Sequence, residues 1–173
     1  MTISNNVKHL KKHYQSIYKN KMSDIPIVNN KLEVAVVGFT DWDTSFGTAS
    51  EIGILITPWF MNIVLLPKDT MHHKIRPGKR INILLADGEY SFLTQSDENF
   101  GTYLTCSLFS PMFEFKTQKQ ALETAEALMA QLLSSDEFKR AKKLEIAELE
   151  KINNDRIMGS SVSRRNFLRG RFK

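Results

Sequence analysis

The chain has two pairs of histidines, and one of them has a spacing that could hold a metal ion. His9 and His13 stand four residues apart on a predicted helix, which places both imidazole rings on one helix face. Three neighbouring lysines add positive charge, and no carboxylate is close in sequence, which disfavours a bound cation. His72 and His73 are adjacent in a polar segment. We therefore predict that all four are surface histidines and that the chain holds no metal.

Asp41 and Asp43 form a close carboxylate pair, the arrangement that general acid–base catalysis uses. In a strand the two side chains would point to the same side of the sheet. Trp42 between them and the small polar residues that follow instead favour a loop over residues 40–50. We predict that this pair is not catalytic.

The single cysteine limits redox and metal chemistry. Cys106 has no partner for an internal disulfide and cannot build a thiolate metal site alone. It alternates with Leu104 and Leu108 in a predicted strand, which places its thiol inward and leaves Tyr103 and Thr105 outward. The chain also lacks G-x-S-x-G, G-x-x-x-x-G-K-[ST], H-E-x-x-H and C-x-x-C motifs. We therefore predict a binding protein rather than an enzyme, with no cofactor.

The composition is that of one globular domain with a charged end. The 173 residues are 42% hydrophobic and 25% charged, and a chain of this length buries a sizeable core. The net charge is +5, but residues 159–173 carry five basic residues and no acidic one, so residues 1–158 are neutral overall. A neutral body does not favour nucleic-acid binding. We predict a single domain over residues 1–158 and a basic tail over residues 159–173.

The sequence predicts neither a secretory signal nor a membrane span. Residues 1–22 are polar and lysine-rich with no apolar h-region, which favours a cytoplasmic location. One uncharged apolar run, residues 53–66, has 14 residues and contains Pro58. A bilayer span needs about 20 apolar residues, so this run must be core or a surface kept apolar for a partner.

Hydrophobic periodicity predicts an α+β fold. An apolar stripe at helical spacing opens the chain, with Asn5 or Asn6 as its N-cap. About six strands follow, and from Thr117 the period becomes helical again, with a second helical stripe over residues 138–152. Runs of one element type followed by runs of another indicate an antiparallel sheet rather than alternating βαβ units. The predicted strands span residues 33–39, 52–56, 61–66, 81–85, 89–93 and 103–109.

Two corners of the predicted fold are rich in large apolar side chains. Residues 57–61, Thr-Pro-Trp-Phe-Met, form a tight reversal between two strands that are apolar on both faces and therefore central. Residues 109–113, Phe-Ser-Pro-Met-Phe, leave the last strand and lead into a helix. One such corner most often fills a core. Two favour a shared apolar groove, because methionine-rich surfaces adapt to varied apolar ligands.

The basic tail contains a recognisable string. Residues 163–169, Ser-Arg-Arg-Asn-Phe-Leu-Arg, look like the twin-arginine export motif S-R-R-x-F-L-K. That motif directs export only near an N-terminus, where an apolar h-region follows it, whereas here three residues follow Gly170. The composition by itself predicts a disordered basic tail.

Together, residues 53–67, residues 106–115 and this tail resemble the HybE/HupJ family of [NiFe]-hydrogenase assembly chaperones. The resemblance covers residues 24–133, and the tail matches separately. It implies a cytoplasmic accessory protein that binds precursors of the large or small hydrogenase subunit, and the twin-arginine signal peptide of the small subunit is a candidate contact. The protein would delay export until cofactors are inserted. Some relatives carry a C-terminal rubredoxin domain, but one cysteine cannot supply that iron site, so no metal is implied.

The resemblance and the corners define the expected sites. We expect polar substitution of Trp59 and Met112 to abolish precursor capture without unfolding. Three alternatives stay open for the tail: it occupies the chaperone's own signal site until a client displaces it, it contacts the client or membrane phosphates through its arginines, or it is simply disordered. The expected client-binding residues are Thr57, Pro58, Trp59, Phe60, Met61, Phe109, Ser110, Pro111, Met112 and Phe113. The tail motif consists of Ser163, Arg164, Arg165, Phe167, Leu168 and Arg169.

Two other classes remain as alternatives. A nucleic-acid-binding module with a basic tail would need an aromatic-studded basic surface and would lose affinity steeply with salt. A hydrolase or metal-delivery enzyme would depend on the two histidine pairs alone, and metal analysis of untagged protein would detect it.

Overall fold

The computed structural model describes residues 3–43, 49–68, 76–86, 88–98 and 101–133, which all fall in one compact unit. A helix opens this unit, six strands follow, and a second helix ends it, as the sequence predicts. The elements are α1 (Asn5–Ile17), which continues into a five-residue π-helical turn (Tyr18–Met22), the strands β1 (Ala35–Asp43), β2 (Ala49–Ile56), β3 (Met61–Pro67), β4 (Arg80–Leu85), β5 (Gly88–Asp97) and β6 (Gly101–Phe109), and α2 (Gln118–Leu133).

The six strands form one antiparallel sheet in the order β1-β2-β3-β6-β5-β4. The strands β2 and β3 lie inside the sheet, and nearly every residue of both is buried. This confirms the prediction, made from their two apolar faces, that they are central. The edges of the sheet are β1 and β4.

Helix α1 covers one face of the sheet. Its N-cap is Ser4, whose hydroxyl accepts a hydrogen bond from the Val7 amide at 3.2 Å, so the cap lies one residue before the predicted asparagines. Its buried residues follow the predicted stripe, since they recur every three to four positions. The core on this side contains Val7, Leu10 and Tyr14 from α1, with Val34, Leu55, Val64, Leu66 and Tyr103 from the sheet or its approach.

Helix α2 lies against the other face. Thr117 caps it as predicted, because its hydroxyl accepts from the Gln120 amide at 3.2 Å. At its start the Gln118 side chain accepts from the Glu33 amide (2.9 Å), and at its end the Leu132 carbonyl accepts from the Ala86 amide (3.1 Å). The helix is thus tied near both edges of the sheet. This core contains Ala121, Ala125, Met129 and Leu132 with Ile52, Ile54, Ile56, Met61, Ile63, Leu65, Phe92 and Leu104.

The structure corrects two predictions about the strands. Residues 40–43 are strand rather than loop, because Trp42 pairs with Ser50 and its half-buried ring packs on the α2 side of the sheet. Tyr103 and Thr105 are buried rather than exposed, because β6 is an interior strand with a packed layer on the α1 side as well. Simple in-and-out alternation fails for a strand that is covered on both faces.

Some predictions concern residues outside the described ranges. These are the histidine pair at 72 and 73, the second helical stripe at 138–152, the domain boundary at 158 and the tail motif at 163–169. Within the described ranges, no helix is both long enough and apolar enough to cross a bilayer.

Candidate functional site

The two apolar corners meet on one residue, Asn29, in the connection between α1 and β1. Its amide donates to the Pro58 carbonyl at 2.7 Å, in the first corner. Its side-chain Nδ2 donates to the carbonyls of Met112 and Phe115, both at 2.9 Å, in the second corner. The strands that lead to the corners are also neighbours, since Met61 pairs with Phe109. The structure therefore brings together two motifs that are about fifty residues apart in the sequence.

The first corner, residues 57–61, is held by its own hydrogen bonds. The Thr57 amide donates to the Phe60 carbonyl at 2.8 Å, which closes the turn. The Thr57 hydroxyl accepts from the amides of Trp59 (3.3 Å) and Phe60 (2.9 Å) and lies 3.0 Å from the Phe60 carbonyl. Thr57 is completely buried, so this network replaces the water that a turn normally uses.

Aromatic rings join this corner to α1 and the turn after it. The Trp59 ring stacks on Tyr18, with a centroid separation of 6.1 Å, and meets Phe60 edge to face at 5.6 Å. Phe60 in turn meets the Tyr14 ring edge to face at 5.5 Å. Trp59 is 8% exposed and Phe60 is half-buried. The first corner is therefore mainly a core element on the α1 side of the sheet.

The second corner, residues 109–115, divides its side chains between core and surface. A cis peptide bond joins Ser110 to Pro111, and both residues are exposed. Met112 is completely buried in the core on the α2 side, and Phe115 is buried beside it. Phe113, between them, is 54% exposed. Because the residues on both sides are anchored, the Phe113 ring is presented from a fixed backbone.

These positions differ from the expectation of one apolar groove. Trp59 lies in the α1-side core, whereas Met61 and Met112 lie in the α2-side core, so the sheet separates them. With Thr57 and Pro58 also buried, most side chains of the first corner are not accessible to a partner. Trp59 and Met112, where polar substitutions were expected to abolish client binding, are therefore core residues.

Several accessible apolar side chains lie on the segments that Asn29 joins. Phe113 and Pro111 come from the second corner, and Ile25 and Ile27, at 39% and 45% exposure, come from the connection after α1. We call these four residues the capture surface. The sequence analysis did not single out the two isoleucines. The available signal was the local sequence Asp24-Ile25-Pro26-Ile27, in which a proline separates two β-branched apolar residues.

The polar candidates do not form a catalytic centre. His13 Nδ1 lies 3.0 Å from Asp97 Oδ2, which links α1 to β5, and His9 is exposed. Asp41, on the edge strand β1, forms an ion pair with Lys68, which follows the end of β3. Over residues 3–43, 49–68, 76–86, 88–98 and 101–133 there is no cluster of three or more histidine, cysteine or acidic side chains that could hold a metal ion.

Buried hydroxyl and thiol groups are held in their protonated forms. The phenol oxygens of Tyr14 and Tyr103 lie 2.9 Å apart, and burial raises the pKa of both above the ordinary value of 10. Burial also raises the pKa of the Cys106 thiol. The sequence predicts a buried thiol, whereas Cys106 is only half-buried. Its raised pKa nevertheless makes the thiol a poor nucleophile near neutral pH.

The fold agrees with the family that the sequence matches. The family model described as "[NiFe]-hydrogenase assembly, chaperone, HybE" matches residues 5–170. The chain therefore belongs to the HybE family of hydrogenase assembly chaperones, and the resemblance in its motifs is confirmed.

Individual relatives agree with this assignment. The protein HoxT of Cupriavidus necator is 37% identical over 136 residues, which are 75% of this chain and 76% of HoxT. The hydrogenase expression/formation protein HupJ of Bradyrhizobium diazoefficiens is 36% identical over 158 residues, 91% of this chain and 83% of HupJ. The solution structure of HybE from Escherichia coli has the same fold, with a TM-score of 0.58 and 21% identity over 75% of this chain and 78% of HybE.

Proposed function

We propose that the protein is a cytoplasmic chaperone that binds precursors of [NiFe]-hydrogenase subunits. It holds them back from twin-arginine export until their cofactors are inserted. Membership of the HybE family supports a role in hydrogenase assembly. The name of the Bradyrhizobium relative, a hydrogenase expression/formation protein, is consistent with that role. Family membership also favours a non-enzymatic role.

The observation that carries the proposal is the capture surface. Phe113 is 54% exposed and Ile27 is 45% exposed. When a partner covers these side chains, apolar surface is removed from water, which favours binding. Asn29 fixes both segments by three hydrogen bonds, so little conformational entropy is lost on binding. A precursor without its cofactor exposes apolar surface of its own, and the two surfaces are complementary.

The capture surface is tested by the double variant Ile27→Ser/Phe113→Ser. Immobilised full-length protein is titrated with cofactor-free precursors of the large and the small subunit. We expect at least about a tenfold loss of affinity for the client, because central apolar anchors dominate binding energy. Leu84→Ser is the matched control, since Leu84 is 61% exposed on the edge strand β4, away from Asn29. Unchanged binding by the double variant, or an equal loss in the control, contradicts the proposal.

Salt dependence separates this function from the nucleic-acid alternative. Apolar capture of a precursor should change less than about threefold when salt rises from about 50 to about 200 mM, whereas nucleic-acid binding would weaken by orders of magnitude. A steep salt dependence that the double variant does not alter would favour the alternative.

The delay of export is tested in cells. The small subunit carries the twin-arginine signal, so its appearance outside the cytoplasm in cofactor-free form reports premature export. We expect the double variant to increase that fraction to the level of a strain without the chaperone. Export timing identical to that of the wild type, despite lost precursor binding, would show that capture and delay are separate activities.

The tail is proposed to compete with the client's signal peptide. Residues 163–169 carry the same arginine pair and following apolar residues as the signal. Truncation after Met158 should therefore strengthen binding of a synthetic twin-arginine signal peptide, as measured by titration. Equal affinity of the truncated and full-length chains would rule this competition out.

A further inference from the structure

Glu51 is a buried carboxylate in the interior strand β2. Its relative exposure is 8%, although carboxylates are rarely buried without a cationic partner. The Ser4 hydroxyl donates a hydrogen bond to Glu51 Oε2 at 2.6 Å while it caps α1. In the described part of the chain, Ser4 is the only hydrogen-bond partner of this carboxylate, and no lysine, arginine or histidine pairs with it.

The carboxylate opens onto a cleft between the start of α1 and the edge strand β1. The first turn of α1 favours the negative charge, but Ser4 satisfies only one of the two oxygens. The cleft has a volume of about 200 Å³. Apart from Ser4 and Glu51 it is lined by Ile3, Val7, Val36, Gly38 and Phe39. It therefore combines apolar walls with one buried negative group.

A second carboxylate adds to the negative potential. Asp41 lies directly opposite Glu51 in the β1–β2 ladder, so both side chains are on the α1 side of the sheet. Lys68 pairs with Asp41 and leaves Glu51 without a cation. Among the side chains that the structure describes, these two acidic groups are paired with one lysine, which favours a second positive charge at this place.

The Phe39 ring provides a flat apolar wall. It packs against Gly53, because a Cβ atom at residue 53 would lie only 2.3 Å from Phe39 Cδ2. Phe39 also lines the cleft. Guanidinium groups stack on aromatic rings, are weakly hydrated, and donate several hydrogen bonds to carboxylates, whereas the ammonium of lysine is compact and strongly hydrated.

We propose that this cleft binds an arginine side chain of a polypeptide partner. The guanidinium donates to Glu51 and lies on Phe39, and the aliphatic stem of the arginine contacts Val36. Ile3, which is 49% exposed at the rim, contacts an apolar residue next to the arginine. The site is separate from the capture surface, and it does not depend on the proposed function.

The test uses the full chain and two synthetic pentapeptides, acetyl-Gly-Leu-Arg-Phe-Gly-amide and the same peptide with citrulline in place of arginine. Citrulline keeps the shape but is neutral. Binding is followed by NMR shifts of the Ser4, Val36 and Gly38 amides. We expect the arginine peptide to bind at least about tenfold more tightly than the citrulline peptide, because a charge-assisted bond is lost. N-acetylarginine amide alone should bind more weakly than the peptide.

Protein variants assign the effect to the cleft. Glu51→Gln keeps the volume and should reduce arginine-peptide affinity to that of the citrulline peptide, and Phe39→Leu should reduce it less. Glu89→Gln, at an exposed position on β5, is the matched control and should bind as the wild type does. Equal binding of the two peptides, full binding by Glu51→Gln, or no shift at the cleft amides would each overturn the proposal. Precursor capture through Phe113 would be unaffected by any of these results.

Discussion

The first and second corners have similar compositions but different exposures. Each combines a proline with a methionine and aromatic rings, yet Trp59 and Met61 are buried whereas Pro111 and Phe113 are exposed. The first corner turns within the sheet, between two strands covered on both faces. The second must leave the sheet and reach the layer of α2. The path of the connection, and not the composition, determines which corner presents apolar side chains.

The largest expected loss of stability comes from a substitution in the first corner. Trp59→Ala removes a ring that packs on Tyr18 and Phe60 and should lower the free energy of unfolding by about 3–5 kcal/mol. Urea denaturation followed by circular dichroism measures this. A loss below about 1 kcal/mol would show that the ring is a surface group, and the contrast between the corners would fail.

The second-largest expected loss of stability comes from removing the hydrogen bonds by which Asn29 joins the two corners. Asn29→Ala removes both side-chain donors and leaves the carbonyls of Met112 and Phe115 without them. We expect a loss of about 1–3 kcal/mol in the free energy of unfolding. Asn30→Ala is the control, because Asn30 is exposed and its side chain accepts a hydrogen bond from the Tyr18 hydroxyl, at 3.3 Å. If both variants lose the same stability, Asn29 does not join the corners.

A pH effect tests how α1 anchors the first corner. Tyr14 contacts Phe60 and shares a hydrogen bond with Tyr103, and burial raises the pKa of both tyrosines above 10. The unfolded chain therefore loses these protons first, so the stabilisation is complete below pH 10 and is lost as the pH rises further. The urea concentration at the unfolding midpoint should fall as the pH rises from about 8 to about 11, and it should fall less for Tyr103→Phe. An equal fall in both proteins would exclude these hydroxyls as the cause.

The smallest expected effect on stability is at the second corner. Phe113→Ser changes a ring that is 54% exposed, and we expect the free energy of unfolding to change by less than about 0.5 kcal/mol. Thermal denaturation measures this change. A loss comparable to that of Trp59→Ala would place the Phe113 ring in the core and remove it from the capture surface.

Most elements of the fold could be predicted from sequence. The stripe in α1, the two-sided apolar strands β2 and β3, and the cap at Thr117 are local signals, and local hydrogen bonding or periodicity suffices to find them. Trp42 was placed in a loop because its strand partner, Ser50, is set by a register that no short window contains.

The exposure of the site could not be predicted in the same way. Whether Met112 or Phe113 faces water depends on a single donor, Asn29, more than eighty positions earlier in the chain. The burial of Glu51 likewise depends on α1 crossing the sheet so that Ser4 can reach it. Both are contacts between distant segments, and neither leaves a pattern within its own segment.

The three hydrogen bonds of Asn29 have a consequence for motion. The connection after α1, the turn at Pro58 and the segment between Met112 and Phe115 share one residue as their common support. They should therefore open together rather than singly, as one cooperative unit in native-state hydrogen exchange. A client that exerts a force on Phe113 would therefore also strain the turn between the central strands β2 and β3. Release of the client would relax that turn.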